Sequence, residues 1–115
     1  MQLINTYTIE IKKSKFIAYL YDIESVDDAK EALKQLKEEH QKARHIPYAF
    51  KVNSTASKSD DKEPSNTAGL PILQMMDYRN LENKLIAVVR YFGGTKLGVG
   101  PLMRAYLEAA KKVSE

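Results

Sequence analysis

Leu85-Ile86-Ala87-Val88-Val89-Arg90-Tyr91-Phe92-Gly93-Gly94-Thr95-Lys96-Leu97-Gly98-Val99-Gly100-Pro101-Leu102 is the stretch that decides the fold. Leu85 to Val89 is an unbroken apolar run, where a strand with one wet face would alternate; it reads as a strand covered on both faces. Gly93, Gly94, Gly98 and Gly100 then end the strand in a glycine-rich loop. Pro101 suits the first turn of a helix, where a missing N–H costs little, and predicts a helix over about residues 101–113. Leu102, Met103, Tyr106, Ala110 and Val113 would pack that helix on the sheet.

Upstream, Thr67 is placed to cap a short helix over about residues 68–77, with Pro71 in its first turn and Leu70, Leu73 and Met76 as its buried stripe. The polar stretch 53–66 reads as a loop, long enough to be functional or mobile. Tyr48 to Val52 alternates and predicts a strand, with Pro47 at its start or on an edge. Ser25 stands three residues before Asp28 in a capping-box pattern, and Val26, Ala29, Leu33, Leu36 and His40 recur at helical steps, predicting a helix over 26–39. Tyr7 to Ile11 and Phe16 to Ile23, joined through Lys12-Lys13-Ser14-Lys15, form a β-hairpin. The fold class is α+β: a mainly antiparallel four-stranded sheet covered by about three helices, in one domain over 1–115.

Composition narrows the chemistry. Cysteine is absent, which excludes disulfides, iron–sulfur clusters and thiolate zinc sites and leaves His40 and His45 as the nitrogen ligands. No segment approaches the roughly 18 apolar residues of a membrane span, and the first residues lack a secretory pattern. The expected location is cytoplasmic. The net charge of +3 is carried after residue 80, where Lys84, Arg90, Lys96, Arg104, Lys111 and Lys112 face Glu82, Glu108 and Glu115. A polyanion would meet this end first.

Three groups of residues can carry chemistry. The glycine-rich loop leads into a helix start, and Arg90, Lys96 and Arg104 flank it, so Gly93, Gly94 and Gly98 can turn backbone N–H groups toward a phosphate. The spacing matches neither the Walker nor the dinucleotide fingerprint, and glycines that only serve tight turns explain it equally well. Asp60, Asp61 and Glu63 place three carboxylates within four residues, enough for magnesium if a phosphate completes the shell; capping the following helix is their more ordinary role. His45 is a lone candidate for proton transfer or phosphate contact, and Tyr91 and Phe92 beside Arg90 and Lys96 offer stacking surface to a single strand.

Together, Lys13-Ser14-Lys15-Phe16-Ile17-Ala18, Ala43-Arg44-His45 with Tyr48-Ala49-Phe50, the block Ser59 to Gly69 and the block Val89 to Gly98 resemble the YigZ/IMPACT family. The family usually has glycine where this chain has Lys62 and Asn66, and often where it has Pro101, which leaves the acidic loop room for a different shape. The resemblance implies the fold of the second domain of a small-subunit ribosomal protein, a link to regulation of translation, and RNA, the ribosome or a protein as partner. It implies no settled enzymatic activity and no obligatory cofactor; a magnesium-dependent enzyme acting on a phosphorylated small molecule stands as the alternative. Bacterial members usually carry a following ferredoxin-like domain, which this chain is expected to lack.

Overall fold

The computed structural model describes residues 1–115. Its elements run β1 (Gln2–Ile11), β2 (Ser14–Asp22), α1 (Val26–Glu39), β3 (Tyr48–Val52), β4 (Thr55–Ser59), α2 (Gly69–Tyr78), β5 (Lys84–Tyr91) and α3 (Val99–Val113). The fold is α+β, with a fully antiparallel sheet in the order β1-β2-β5-β3-β4. The sheet has five strands where the sequence predicts four. The extra one, β4, lies in the stretch read as a loop: its Thr-Ala-Ser-Lys-Ser offers no apolar side, because it is an exposed edge strand. Asn53 and Ser54, at φ 50 and 64, make the two-residue turn that folds β4 back on β3.

β5 lies at the centre, and Leu85 to Arg90 are all buried, as an unbroken apolar run requires. Its alternate residues feed two cores. Ile86 and Val88 join Phe16, Ala18 and Leu20 under α2 and α3, while Leu85, Ala87 and Val89 join Phe50, Val52 and α1 on the other face. Each fully buried Leu, Ile or Val contributes about 1.5–3 kcal/mol. The β2-α1-β3 and β4-α2-β5 connections both join parallel strands across one intervening strand, yet their helices lie on opposite faces. The two crossovers therefore have opposite hands, and one of them is left-handed, against the usual preference.

Helix α1 starts as its sequence dictates: Ser25 Oγ accepts from the Asp28 N–H at 3.0 Å and Asp28 returns a bond to the Glu24 N–H at 2.8 Å. Helix α2 differs from the predicted register. Thr67 donates its hydroxyl to the Pro64 carbonyl instead of capping, and Ile72, Met75 and Met76 are buried while Leu70 and Leu73 are only partly so. The reason is Gly69, where a Cβ would lie 2.9 Å from the Ser59 backbone; this close approach turns the Gly69–Ile72–Met76 side inward. Helix α3 begins at Val99, two residues before the predicted start, and Met103 is exposed at 37%, its predicted place in the core being taken by Ala105 and Ala109. No helix is long and apolar enough to cross a membrane.

Candidate functional site

The end of β5 assembles a site from four separate stretches of chain. Arg44 donates its N–H to the Arg90 carbonyl at 2.8 Å and Arg90 returns its own to the His45 carbonyl at 2.9 Å, so residues 44 and 45 continue the sheet beside β5. Arg90 points into the α2/α3 core side, 94% buried, with its guanidinium carbon 5.6 Å from the Phe16 ring centre. A buried cation needs a counter-charge, and Glu63 supplies it: Arg90 Nη1 donates to Glu63 Oε2 at 2.7 Å. The Tyr106 hydroxyl donates to the same oxygen. Burial first, then that bond to Glu63, pushes the Tyr106 hydroxyl far above the ordinary tyrosine range, so it stays a donor. His45 Nδ1 lies 2.7 Å from the Asp61 carbonyl and must carry a proton there, which turns Nε2 toward Glu63 Oε1 at 3.5 Å.

Above this buried network lies a cavity of about 340 Å³ lined by Arg44, His45, Glu63, Pro64, Arg90, Phe92 and Lys96, and by Leu97 to Val99 with Leu102 from the start of α3. The Arg44 guanidinium stacks 4.5 Å above the Phe92 ring. Gly98 caps α3 with φ +85 and no side chain bonds the first turn, whose N–H groups on Val99 and Gly100 keep their positive end open. Arg104 folds its guanidinium back over Gly100, 3.4 Å from where a Cβ would stand. Arg90 Nη1 is matched by Glu63, whereas its Nε is buried without any partner. Arg44, Lys96 and Arg104 have no carboxylate within salt-bridge distance.

The predicted site residues separate into groups. Arg90, Lys96, Gly98, Glu63 and His45 line the cavity, whereas Arg104 lies outside the lining, over Gly100 in the first turn of α3. Gly93 serves packing: its N–H donates to Ser14 Oγ at 3.1 Å, and a Cβ there would stand 2.2 Å from the Lys13 backbone. Gly94 supplies a φ of +94 and lies outside the lining. The three acidic residues diverge. Asp60 caps α2 through the Ala68 and Gly69 N–H groups, Asp61 Oδ2 accepts from the Ile46 N–H at 2.7 Å, and Glu63 goes to Arg90; no three acidic or histidine side chains converge as metal ligands. Lys62 and Asn66 keep left-handed backbone at φ 69 and 64, so the loop retains glycine-type geometry without glycine. Sequence reasoning missed Arg44 and the polar role of Tyr106; the Arg44-His45 pair preceding a strand is the one signal that pointed there. His40 is the C-cap of α1, and its ring also bridges the Tyr19 and Tyr91 hydroxyls at 2.8 and 2.6 Å.

A five-stranded antiparallel sheet with helices on both faces and a basic cavity at the end of its central strand defines a small α+β domain. A family model, the Impact N-terminal domain, matches residues 12–114, and the chain belongs to that family. It is 39% identical over 112 residues to the IMPACT family member YvyE of Bacillus subtilis, covering 95% of this chain and 50% of that one. It is 38% identical over 106 residues to the IMPACT family member YigZ of Escherichia coli, covering 88% and 52%. The chain spans about half the length of the curated relatives it matches. A crystal structure described as that of a hypothetical protein superposes with a TM-score of 0.91 at 34% identity, over 98% of this chain and 59% of that one. The two-domain translational regulator Yih1 shares the fold, with a TM-score of 0.56 at 23% identity over 96% and 46%.

Proposed function

We propose that this domain is a binding module for RNA or the ribosome, seating a phosphate in the cavity at the start of α3, and that it serves in the regulation of translation. One observation carries the reading: the open N-terminus of α3 faces the same space as Lys96, Arg44 and a buried Arg90 whose Nε–H has no partner. Cations without carboxylate partners and unpaired backbone donors together favour an anion with several acceptor oxygens. Phe92, 37% exposed beside Arg44, adds a face on which a base can stack. The likeness to a protein described as a translational regulator supports the cellular setting.

Fluorescence anisotropy with labelled single-stranded and duplex RNA over a salt series tests this. The expected result is affinity that falls with salt, and a log–log slope for single strands shallower by about 0.7 for each of Arg44→Ala and Lys96→Ala. Binding that ignores salt, or that both substitutions leave unchanged, rejects the cavity as the site.

A protein partner is the second reading, favoured by an open groove where Pro71, Tyr78, Met103 and Leu107 meet and Tyr78 is 88% exposed. Pull-down with and without nuclease separates the two, since a partner bridged by RNA is lost on digestion.

A further inference from the structure

The cavity at α3 is not the only basic concavity. Lys30, Lys34 and Lys37 stand on one stripe of α1, at steps of four and three, and are exposed. They form one wall of a groove of about 370 Å³ whose other side is Tyr48 and Ser59. None of the three has a carboxylate within salt-bridge distance, whereas Lys51 and Lys84 on the opposite end of the sheet are each paired. Of the five acidic residues of α1, Asp28 is held by the chain terminus and the Glu24 N–H and Glu31 accepts from Gln35, while Asp27, Glu38 and Glu39 make no ion pair with the stripe. Like charges at these steps repel weakly, which an anion shared among them would relieve.

The two basic grooves meet at one wall. His45 lines the α3 cavity, Ile46 and Asp61 line the α1 groove, and Asp61 joins them by accepting from His45 Nδ1 at its carbonyl and from the Ile46 N–H at its carboxylate. One oxygen of that carboxylate, Oδ2, is thereby engaged by the Ile46 N–H at 2.7 Å at the wall between the grooves. Each groove also offers an aromatic ring next to its cations, Phe92 in one and Tyr48 in the other.

We infer that a single-stranded RNA seated in the α3 cavity continues past His45 into the α1 groove, where Lys30, Lys34 and Lys37 take its following phosphates. This extends the phosphate-binding reading above and rests on it. Alternating cations and aromatic faces along a track longer than one nucleotide suit a flexible strand whose bases are free to stack.

The test compares a labelled dinucleotide with a single strand of about ten nucleotides, a length in the range of known single-strand sites. Each is titrated over a salt series against the wild type, Lys96→Ala, and the triple variant Lys30→Gln, Lys34→Gln, Lys37→Gln, whose exposed positions leave the core intact; circular dichroism checks this. The triple variant is expected to bind the dinucleotide as the wild type does, to bind the longer strand on the order of a hundredfold more weakly at low salt, and to lower its salt slope by about 2. Lys96→Ala weakens both ligands. Unchanged affinity of the triple variant for the longer strand overturns the extended track while leaving the cavity reading standing. Failure of the wild type to bind either ligand overturns both. Displacement of the longer strand by an equally charged acidic peptide, free of phosphate, also overturns the assignment to RNA.

Discussion

Asp60 illustrates how one carboxylate is committed by its surroundings. Its Oδ1 accepts from the Ala68 and Gly69 N–H groups at 3.1 and 2.9 Å and its Oδ2 from the Asn66 N–H at 2.8 Å. Burial resists ionisation, but these three donors and the charge of Lys58 outweigh it, and the carboxyl is held below the ordinary value of 3.8. A depressed native pKa stabilises the fold above the unfolded pKa, and that contribution is lost as the pH falls through the native one. Urea unfolding of the wild type should therefore lose stability below about pH 4, and Asp60→Asn should cost about 1 kcal/mol at pH 7 while flattening that acid slope. Parallel pH profiles for the two proteins would show that the cap is not ionic. Glu63, three residues on, makes the opposite choice: it turns into the core to match Arg90, and both Tyr106 and His45 gather on it. The sequence spelled the two carboxylates as one acidic block, because nothing in their spacing tells which faces a helix end and which a buried cation.

Among the elements, the two hairpins turn through two-residue loops with positive φ at both positions, Lys12-Lys13 at 48 and 70 and Asn53-Ser54 at 50 and 64. Lysine and serine carry a Cβ penalty in this conformation that glycine avoids, partly offset by glycine's greater freedom when unfolded. Lys13→Gly and Ser54→Gly should each raise unfolding stability by about 0.5–1 kcal/mol, whereas Asn53→Gly should change it little, because asparagine already tolerates the geometry. Equal effects at all three positions in urea denaturation would contradict this assignment of strain. The first hairpin was legible because both its strands alternate or run apolar around a short basic turn. The second was not, since β4 carries its weight in backbone bonds at an exposed edge and shows no apolar period. The same limit explains α2, where a glycine packed on Ser59 sets the inward side and the large residues Leu70 and Leu73 are left at its flank.

At the scale of the whole molecule, the central strand and both helical layers are what the apolar patterns foretell, while the cavity is a product of topology. Its lining comes from residues 44–45, 63–64, 90 and 92, and 96–99 with 102, which only the crossover connections bring together. The same topology decides how the protein unfolds. Strands β2, β3 and β5 each send alternate residues to both cores, so neither helical layer can lose its packing without exposing one face of the shared sheet. Leu36 of α1 is 1% exposed in one core and Ile72 of α2 is fully buried in the other. Leu36→Ala and Ile72→Ala should each lower stability by about 2–5 kcal/mol in a single transition, seen at one midpoint by far-ultraviolet dichroism and tyrosine fluorescence alike. Since the two sites lie on opposite faces and share no contacts, their effects should add within about 0.5 kcal/mol in the double variant. A double variant with two separated transitions would mean instead that one helical layer melts while the sheet keeps the other.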